Sequence, residues 1–338
     1  VTAASDKDSN NAREFQRVWQ EKVMSRLGRV TVLGGGVLGG QIAWHSAFKG
    51  KTVVVYDIAL DAIERCQAAH DKYADTYLSD VGASVGDIAT TRQRLTFTTD
   101  LAAAVAVADL VIEAVPEIPD VKTAVYKQMA GLLPPGTLVA TNSSTLLPSD
   151  FAAATGRPDK FCALHFATTI WAMNFAEIMA HPGTARETLT EVTEFAVEIG
   201  MVPIPVRKEQ NGYVVNTWFV PLLNAAQTLV TNGIATPEDV DRTYMIGGAS
   251  VGPLGMMDMV GMKTVYDVLS YWGRENGDAQ MSANADYVKK NFLDHGWLGV
   301  QTGKGYYEYP QPAFQRPGFL DIPDISVVPD FVSLMSPQ

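Results

Sequence analysis

An α/β fold is what this sequence predicts: a doubly wound, mostly parallel sheet followed by an all-helical domain. Three observations carry it. Between residues 29 and 206, short apolar runs alternate with stretches of helical periodicity. The first of these runs ends in a glycine cluster, and a helical stretch follows at once. Beyond Lys208 the strand-like runs stop and apolar helical patterns take over.

The elements follow in order. Residues 1–11 are polar and lack an apolar core, so no signal peptide is read there. Phe15, Val18, Trp19, Val23 and Leu27 fall at helical spacing, which predicts a helix over 12–27 leading into the first strand. Residues 29–33 and 52–56 are rich in β-branched side chains, and similar runs lie at 110–114, 137–141 and 161–166. Fully apolar runs of this length suit parallel strands covered on both faces. Leu60, Ile63, Ala69, Tyr73 and Tyr77 mark one intervening helix, and residues 119–133 a second. Residues 185–199 and 201–206 add a further helix and strand. The expected organisation is an arm and helix over 1–27, a sheet domain over 28–208 and a helical domain over 209–338. In that last domain, residues 213–229 are apolar enough to bury more than one face, which predicts a homodimer through the helices. Residues 237–245 and 261–274 read as additional helices.

Composition narrows the function classes. The 338 residues, 47% hydrophobic and 19% charged, are ordinary for a globular chain of two domains. A net charge of −11 argues against nucleic acid and against anionic membrane surfaces as partners. No apolar run reaches the roughly 18 residues of a membrane span. Cys66 and Cys162 fit neither a disulfide framework nor a metal-ligand spacing. They read as free thiols of a cytoplasmic protein, and no metal site is expected.

The sharpest local signal is Gly34-Gly35-Gly36-Val37-Leu38-Gly39, a G-x-G-x-x-G pattern between a strand and a helix. Gly34 suits a tight turn, Gly36 lets the backbone approach a pyrophosphate, and Gly39 permits close helix–strand packing. The N–H groups at the start of the helix, around Val37 and Leu38, then face the phosphates. The second strand ends in Asp57, 18 residues after Gly39. A carboxylate there accepts hydrogen bonds from adenosine ribose hydroxyls and repels a 2′-phosphate. The domain therefore reads as Rossmann-type, with NAD as cofactor in preference to NADP or FAD.

Polar residues at strand ends sit where such a sheet binds its ligands. Asn142-Ser143-Ser144-Thr145 follows one apolar run, His165 closes another, and Glu177 stands 12 residues on. These segments make the chain resemble the 3-hydroxyacyl-CoA dehydrogenase family. The resemblance also rests on Glu113-Ala114-Val115-Pro116-Glu117, on Asn216, on Gly252-Pro253 and Asp258, and on the closing run 302–307. It implies that His165 is the catalytic histidine and Glu177 its carboxylate partner. It implies that Ser144 and Asn216 touch the reacting oxygen, and that Glu117 and Lys122 line the nicotinamide side of the cofactor. Ala114, Val115 and Asn142 join the cofactor set. The chemistry suits those roles: oxidising a secondary alcohol removes a proton from oxygen, and a neutral imidazole is a fitting base.

Two segments depart from the family pattern. The Phe-Asn-Pro run that usually follows the histidine is replaced by Phe166-Ala167-Thr168-Thr169-Ile170-Trp171. The helix after Asp57, lysine-bearing in members that use CoA, has only Arg65 and Lys72 over residues 61–72. The expected substrate is thus a short 3-hydroxyacyl-CoA, such as 3-hydroxybutyryl-CoA. The alternative is a small 3-hydroxy acid without CoA, as in the related carnitine and gulonate dehydrogenases. A catalytically silent dinucleotide-binding protein is the third reading.

Overall fold

The computed structural model describes residues 26–335. The expected N-terminal arm, and the helix over 12–27 up to residue 25, lie outside the described residues. Two compact units divide between Thr217 and Trp218.

The first unit is built on one eight-stranded sheet of order β3-β2-β1-β4-β5-β6-β7-β8. The strands are β1 (Arg29–Leu33), β2 (Thr52–Tyr56), β3 (Leu95–Thr98), β4 (Leu110–Glu113), β5 (Leu138–Thr141), β6 (Phe161–Phe166), β7 (Phe175–Met179) and β8 (Val202–Val206). Every neighbouring pair is parallel except β6 and β7. The apolar runs explain this layout. All the residues of β4, β5 and β6 are buried, as strands covered on both faces must be. β3 was not expected from the sequence; it is a short, half-exposed edge of alternating Thr and apolar residues. β7 was not expected either, because a charged Glu177 interrupts its apolar residues.

Helix α1 (Val37–Phe48) makes the first crossover and buries nine of its residues, two of them glycines, so it is covered on nearly all sides rather than along one stripe. Its Ile42, Ala43 and Ala47 pack in the main core with Val30, Val32, Val53 and Leu164. Helices α2 (Leu60–Thr76), α3 (Val85–Gln93), α4 (Leu101–Val105), α5 (Pro119–Ala130) and α6 (Arg186–Glu198) complete the layers. Because β1, β4, β5 and β6 run parallel, their C-terminal ends share one edge of the sheet. The chain leaves β1 toward β2 and returns at β4, so the switch point of the sheet lies between β1 and β4. The glycine turn, the 114–117 segment, the 142–145 turn and His165 all fall on that edge. The α/β fold class read from the sequence is the one observed.

The second unit is helical. After α7 (Val215–Thr231) come α8 (Pro237–Met245), α9 (Pro253–Val260), α10 (Met262–Glu275) and α11 (Ala279–Asn291). Leu254, Met257, Leu269 and Val288 belong to its core. Asp258 explains the closing glycine–tyrosine run: its carboxylate accepts from the N–H groups of Tyr306 (2.8 Å) and Tyr307 (2.9 Å). Burial pushes that carboxyl up to about 6 against those donors. Among the described residues, no helix is long and apolar enough to cross a membrane. None of their His, Cys, Asp and Glu side chains form a group of three or more that could hold a metal.

Candidate active site

The glycine turn is fixed by what surrounds it. Gly34 has φ of 103°, and a Cβ there would sit 2.5 Å from the carbonyl oxygen of Ala114. At Gly39 a Cβ would sit 2.0 Å from the carbonyl oxygen of Gly34. These glycines let the turn close against the start of the 114–117 segment. Gly36 differs: a Cβ there would meet nothing within 4 Å. It is the N-cap of α1 and offers no side-chain cap. The first N–H groups of the helix, at Val37, Leu38 and Gly39, have no capping side chain over them. Such uncapped N–H groups form an open cradle with the chemistry that suits phosphate oxygens. Asp57, just past β2, braces the turn by accepting from the N–H of Gly35 at 2.9 Å. Its other oxygen accepts from the N–H of Ala59 at 3.2 Å.

The strand register brings His165 and Glu177 together. A reversal over residues 167–174 sends β7 antiparallel to β6, which sets Glu177 directly opposite His165. His165 Nδ1 donates to Glu177 Oε2 at 2.8 Å. A carboxylate only accepts, so that bond assigns the ring proton to Nδ1 and leaves Nε2 as an acceptor. Nε2 lies 3.1 Å from the Ser144 hydroxyl. The second oxygen of Glu177 accepts from the N–H groups of Val214 and Val215, each at 2.8 Å. The start of α7 thereby anchors the carboxylate. Asn216 Nδ2 donates to the Ser144 carbonyl at 3.3 Å, so in this state it holds the turn of Ser144 and not its hydroxyl.

The remaining expected residues are also on this edge. Asn142 Oδ1 accepts from the N–H of Phe166 at 2.9 Å, which ties the ends of β5 and β6. Ala114 and Val115 are half-buried beside the glycine turn. Lys122 is fully buried, its ammonium 2.7 Å from Glu113 and 3.2 Å from Glu117. Glu117 Oε1 accepts from the N–H of Thr145 at 2.9 Å and from its hydroxyl at 3.0 Å. Burial works to raise the Glu117 carboxyl, but Lys122 and the donors at Ser143 and Thr145 outweigh it and hold it below the usual carboxylate range.

Two further residues, Tyr213 and Glu113, border the site, and the sequence pattern assigns a site role to neither. Tyr213 is buried, with its ring centroid 4.9 Å from that of His165. It was hidden in an apolar run that read as helix, yet its φ is +54° and Gly212 before it has φ of +77°. Glu113, fully buried, accepts from Tyr126 (2.6 Å) and Thr141 (2.8 Å). A charged residue closing an apolar strand was the available signal. The other histidines are bonded differently. His45 and His70, both buried, are bonded to backbone carbonyls, and burial lowers each to about 4. His181 bonds to the carbonyl of Pro158, and His295 stacks on Trp297.

The segment that replaces Phe-Asn-Pro is folded onto α1 and α2. Thr169 has φ of +61°, and its N–H donates to Gln41 Oε1 at 2.7 Å. Trp171 packs on Tyr73 and Tyr77, with centroids 5.5 and 5.8 Å away. A proline could not make the Thr169 bond, having no N–H.

Residues 29–210 match the family model for the NAD binding domain of 3-hydroxyacyl-CoA dehydrogenase, and residues 212–309 match its C-terminal domain. The chain belongs to the 3-hydroxyacyl-CoA dehydrogenase family. Its cofactor is NAD, and the open cradle at Gly36 with Asp57 beside it fits that dinucleotide. The mitochondrial hydroxyacyl-coenzyme A dehydrogenase of Sus scrofa is 30% identical over 292 residues, 83% of this chain and 90% of that one. A solved (S)-3-hydroxybutyryl-CoA dehydrogenase, PaaH1 of Ralstonia eutropha, is 29% identical with a TM-score of 0.70; the match covers 84% of this chain and 99% of that one. A diketoreductase, whose structure is described for substrate-directed dual catalysis of dicarbonyl compounds, is 46% identical with a TM-score of 0.77. That match covers 85% of this chain and 100% of the other. Within this dehydrogenase family match, the two parts meet at residues 210–212, whereas the compact units divide inside α7.

Proposed function

We propose that this chain interconverts a 3-hydroxyacyl group and its 3-keto form, with a short (S)-3-hydroxyacyl-CoA such as 3-hydroxybutyryl-CoA as substrate. One observation carries the reading: the His165 imidazole is held between Glu177 and the Ser144 hydroxyl, on the same sheet edge as the glycine turn. In oxidation, Nε2 takes the hydroxyl proton of the substrate while Glu177 stabilises the imidazolium that forms. In reduction, the same nitrogen returns the proton to the developing alkoxide. Ser144 donates to that oxygen, and Asn216 joins it or holds the turn. NAD, when bound, supplies the hydride acceptor. Gly36, Val37 and Leu38 face its phosphates in the turn that Gly34 and Gly39 close, Asp57 faces its ribose, Glu117 and Lys122 line its nicotinamide side, and Ala114, Val115 and Asn142 complete the cofactor set.

Specific observations favour a second reading, a small dicarbonyl or 3-hydroxy compound without CoA. The charged face of α2 is mostly acidic, with Asp61, Glu64, Asp71 and Asp75 against Arg65 and Lys72. Arg65 is itself paired with Asp61. Few cations there await the phosphates of CoA, and the 46% identical relative acts on dicarbonyl compounds. NADH consumption with acetoacetyl-CoA, free acetoacetate and a small dicarbonyl ester decides between them. The first reading expects kcat/KM for acetoacetyl-CoA to exceed the others by at least about a hundredfold, the scale of a few kcal/mol of handle binding. Faster turnover of a CoA-free compound removes it.

The helical unit exposes Trp218, Ile234, Ile246 and Met259. We take them to carry a homodimer contact, which light scattering reads, and the two buried free thiols suit a reducing cytoplasm.

A further inference from the structure

Ser144 sits on a stretch with no helix or strand of its own, since residues 142–147 lie between β5 and a short turn. Its hydroxyl nevertheless has to meet His165 Nε2. One atom anchors the stretch. Glu117 Oε1 accepts from the Ser143 hydroxyl, from the Ser144 N–H at 3.0 Å, and from the N–H and hydroxyl of Thr145 at 2.9 and 3.0 Å. The other oxygen of Glu117 faces the Lys122 ammonium at 3.2 Å. Lys122 is gripped in turn by Glu113 at 2.7 Å, and Glu113 by Tyr126 and Thr141. A continuous polar chain therefore runs from the buried ends of β4 and β5 to the turn that presents Ser144.

The geometry points to Glu117 as a positioning residue that sets the Ser144 hydroxyl against His165, with Lys122 as its strut. This rests on the acid–base reading above and adds a task for Glu117 beyond facing the cofactor. The role belongs to its shape and acceptor oxygen. Removing both frees four donors and the turn with them. Glutamine keeps an oxygen of the right reach, although its amide nitrogen then meets Lys122.

The test is a set of variants: Glu117→Ala, Glu117→Gln, Ser144→Ala and the double Glu117→Ala/Ser144→Ala. Turnover is followed with saturating NADH, and NADH affinity by fluorescence titration. Glu117→Ala is expected to lower kcat about a hundredfold, and Glu117→Gln to recover about tenfold of that. Because Glu117 also faces the cofactor, NADH is held saturating, and the kcat loss is expected to exceed any change in NADH affinity. In the Ser144→Ala background, Glu117→Ala costs less than about threefold more, because the two act through one hydroxyl. Fully multiplicative losses overturn the proposal, as does a Glu117→Gln protein as slow as Glu117→Ala. So does a loss confined to NADH affinity. If Glu117→Ala does not fold, the cycle is run with Glu117→Gln and the same additivity criterion. Failure of the acid–base reading shows separately, as a His165→Ala protein that retains turnover.

Discussion

His165→Ala is expected to lower kcat by about two to four orders of magnitude while NADH affinity stays within about threefold. The imidazole is the group with an acceptor nitrogen turned toward Ser144, and its other nitrogen is fixed by Glu177. On the proposed reading, its loss removes the base that takes the alcohol proton. The glycine turn and Asp57 belong to other strands and keep their bonds, so the cofactor has no reason to leave. Stopped-flow reduction by NADH and a fluorescence titration read the two quantities. A variant with wild-type turnover rules out proton transfer at this residue, and one that loses NADH equally places His165 in cofactor binding.

Gly39→Ala has the opposite signature. The added Cβ would lie 2.0 Å from the Gly34 carbonyl oxygen and 3.3 Å from Ala114 Cβ. Real Cβ atoms do not approach backbone oxygen that closely, and the contact is with backbone, so α1 or the turn has to move. Overlap of this kind costs about 3 kcal/mol or more. If the strain falls on the turn, NADH affinity drops by about a hundredfold or more, since about 1.4 kcal/mol is tenfold. If it falls on the packing of α1, the protein melts at lower temperature. The control is Gly131→Ala, after α5, where a Cβ meets nothing within 4 Å and both properties are expected to hold. A Gly39→Ala protein with unchanged melting and NADH affinity contradicts the turn geometry.

The sequence made the sheet legible where burial leaves a simple pattern. β1, β2, β4, β5, β6 and β8 are apolar runs, and the glycines name the turn after β1. Periodicity could not reach β7, because its meaning lies in what it pairs with. The 167–174 reversal turns Glu177 from a polar interruption into the partner of His165, and only the family resemblance anticipated that pairing. The anchor at Glu117 was invisible for a similar reason. It joins the ends of two strands some 26 residues apart in sequence, and no local pattern records such a meeting. Tyr213 was concealed by its neighbours, since an apolar run starting at 213 reads as helix. The left-handed backbone at 212 and 213 delays the helix to Val215 and swings the ring under His165. The replacement of Phe-Asn-Pro was visible as a departure, but not that Gln41 and Tyr73 would receive it.

Where the substrate oxygen lies is the most direct question to put to this protein. A crystal structure of the protein with NAD and a 3-keto substrate or its unreactive analogue would answer it. The 3-oxygen is expected about 3 Å from both His165 Nε2 and Ser144 Oγ, with the nicotinamide ring over the 3-carbon. A 3-oxygen bound away from that imidazole, with the nicotinamide reaching a different carbon, would contradict the acid–base reading.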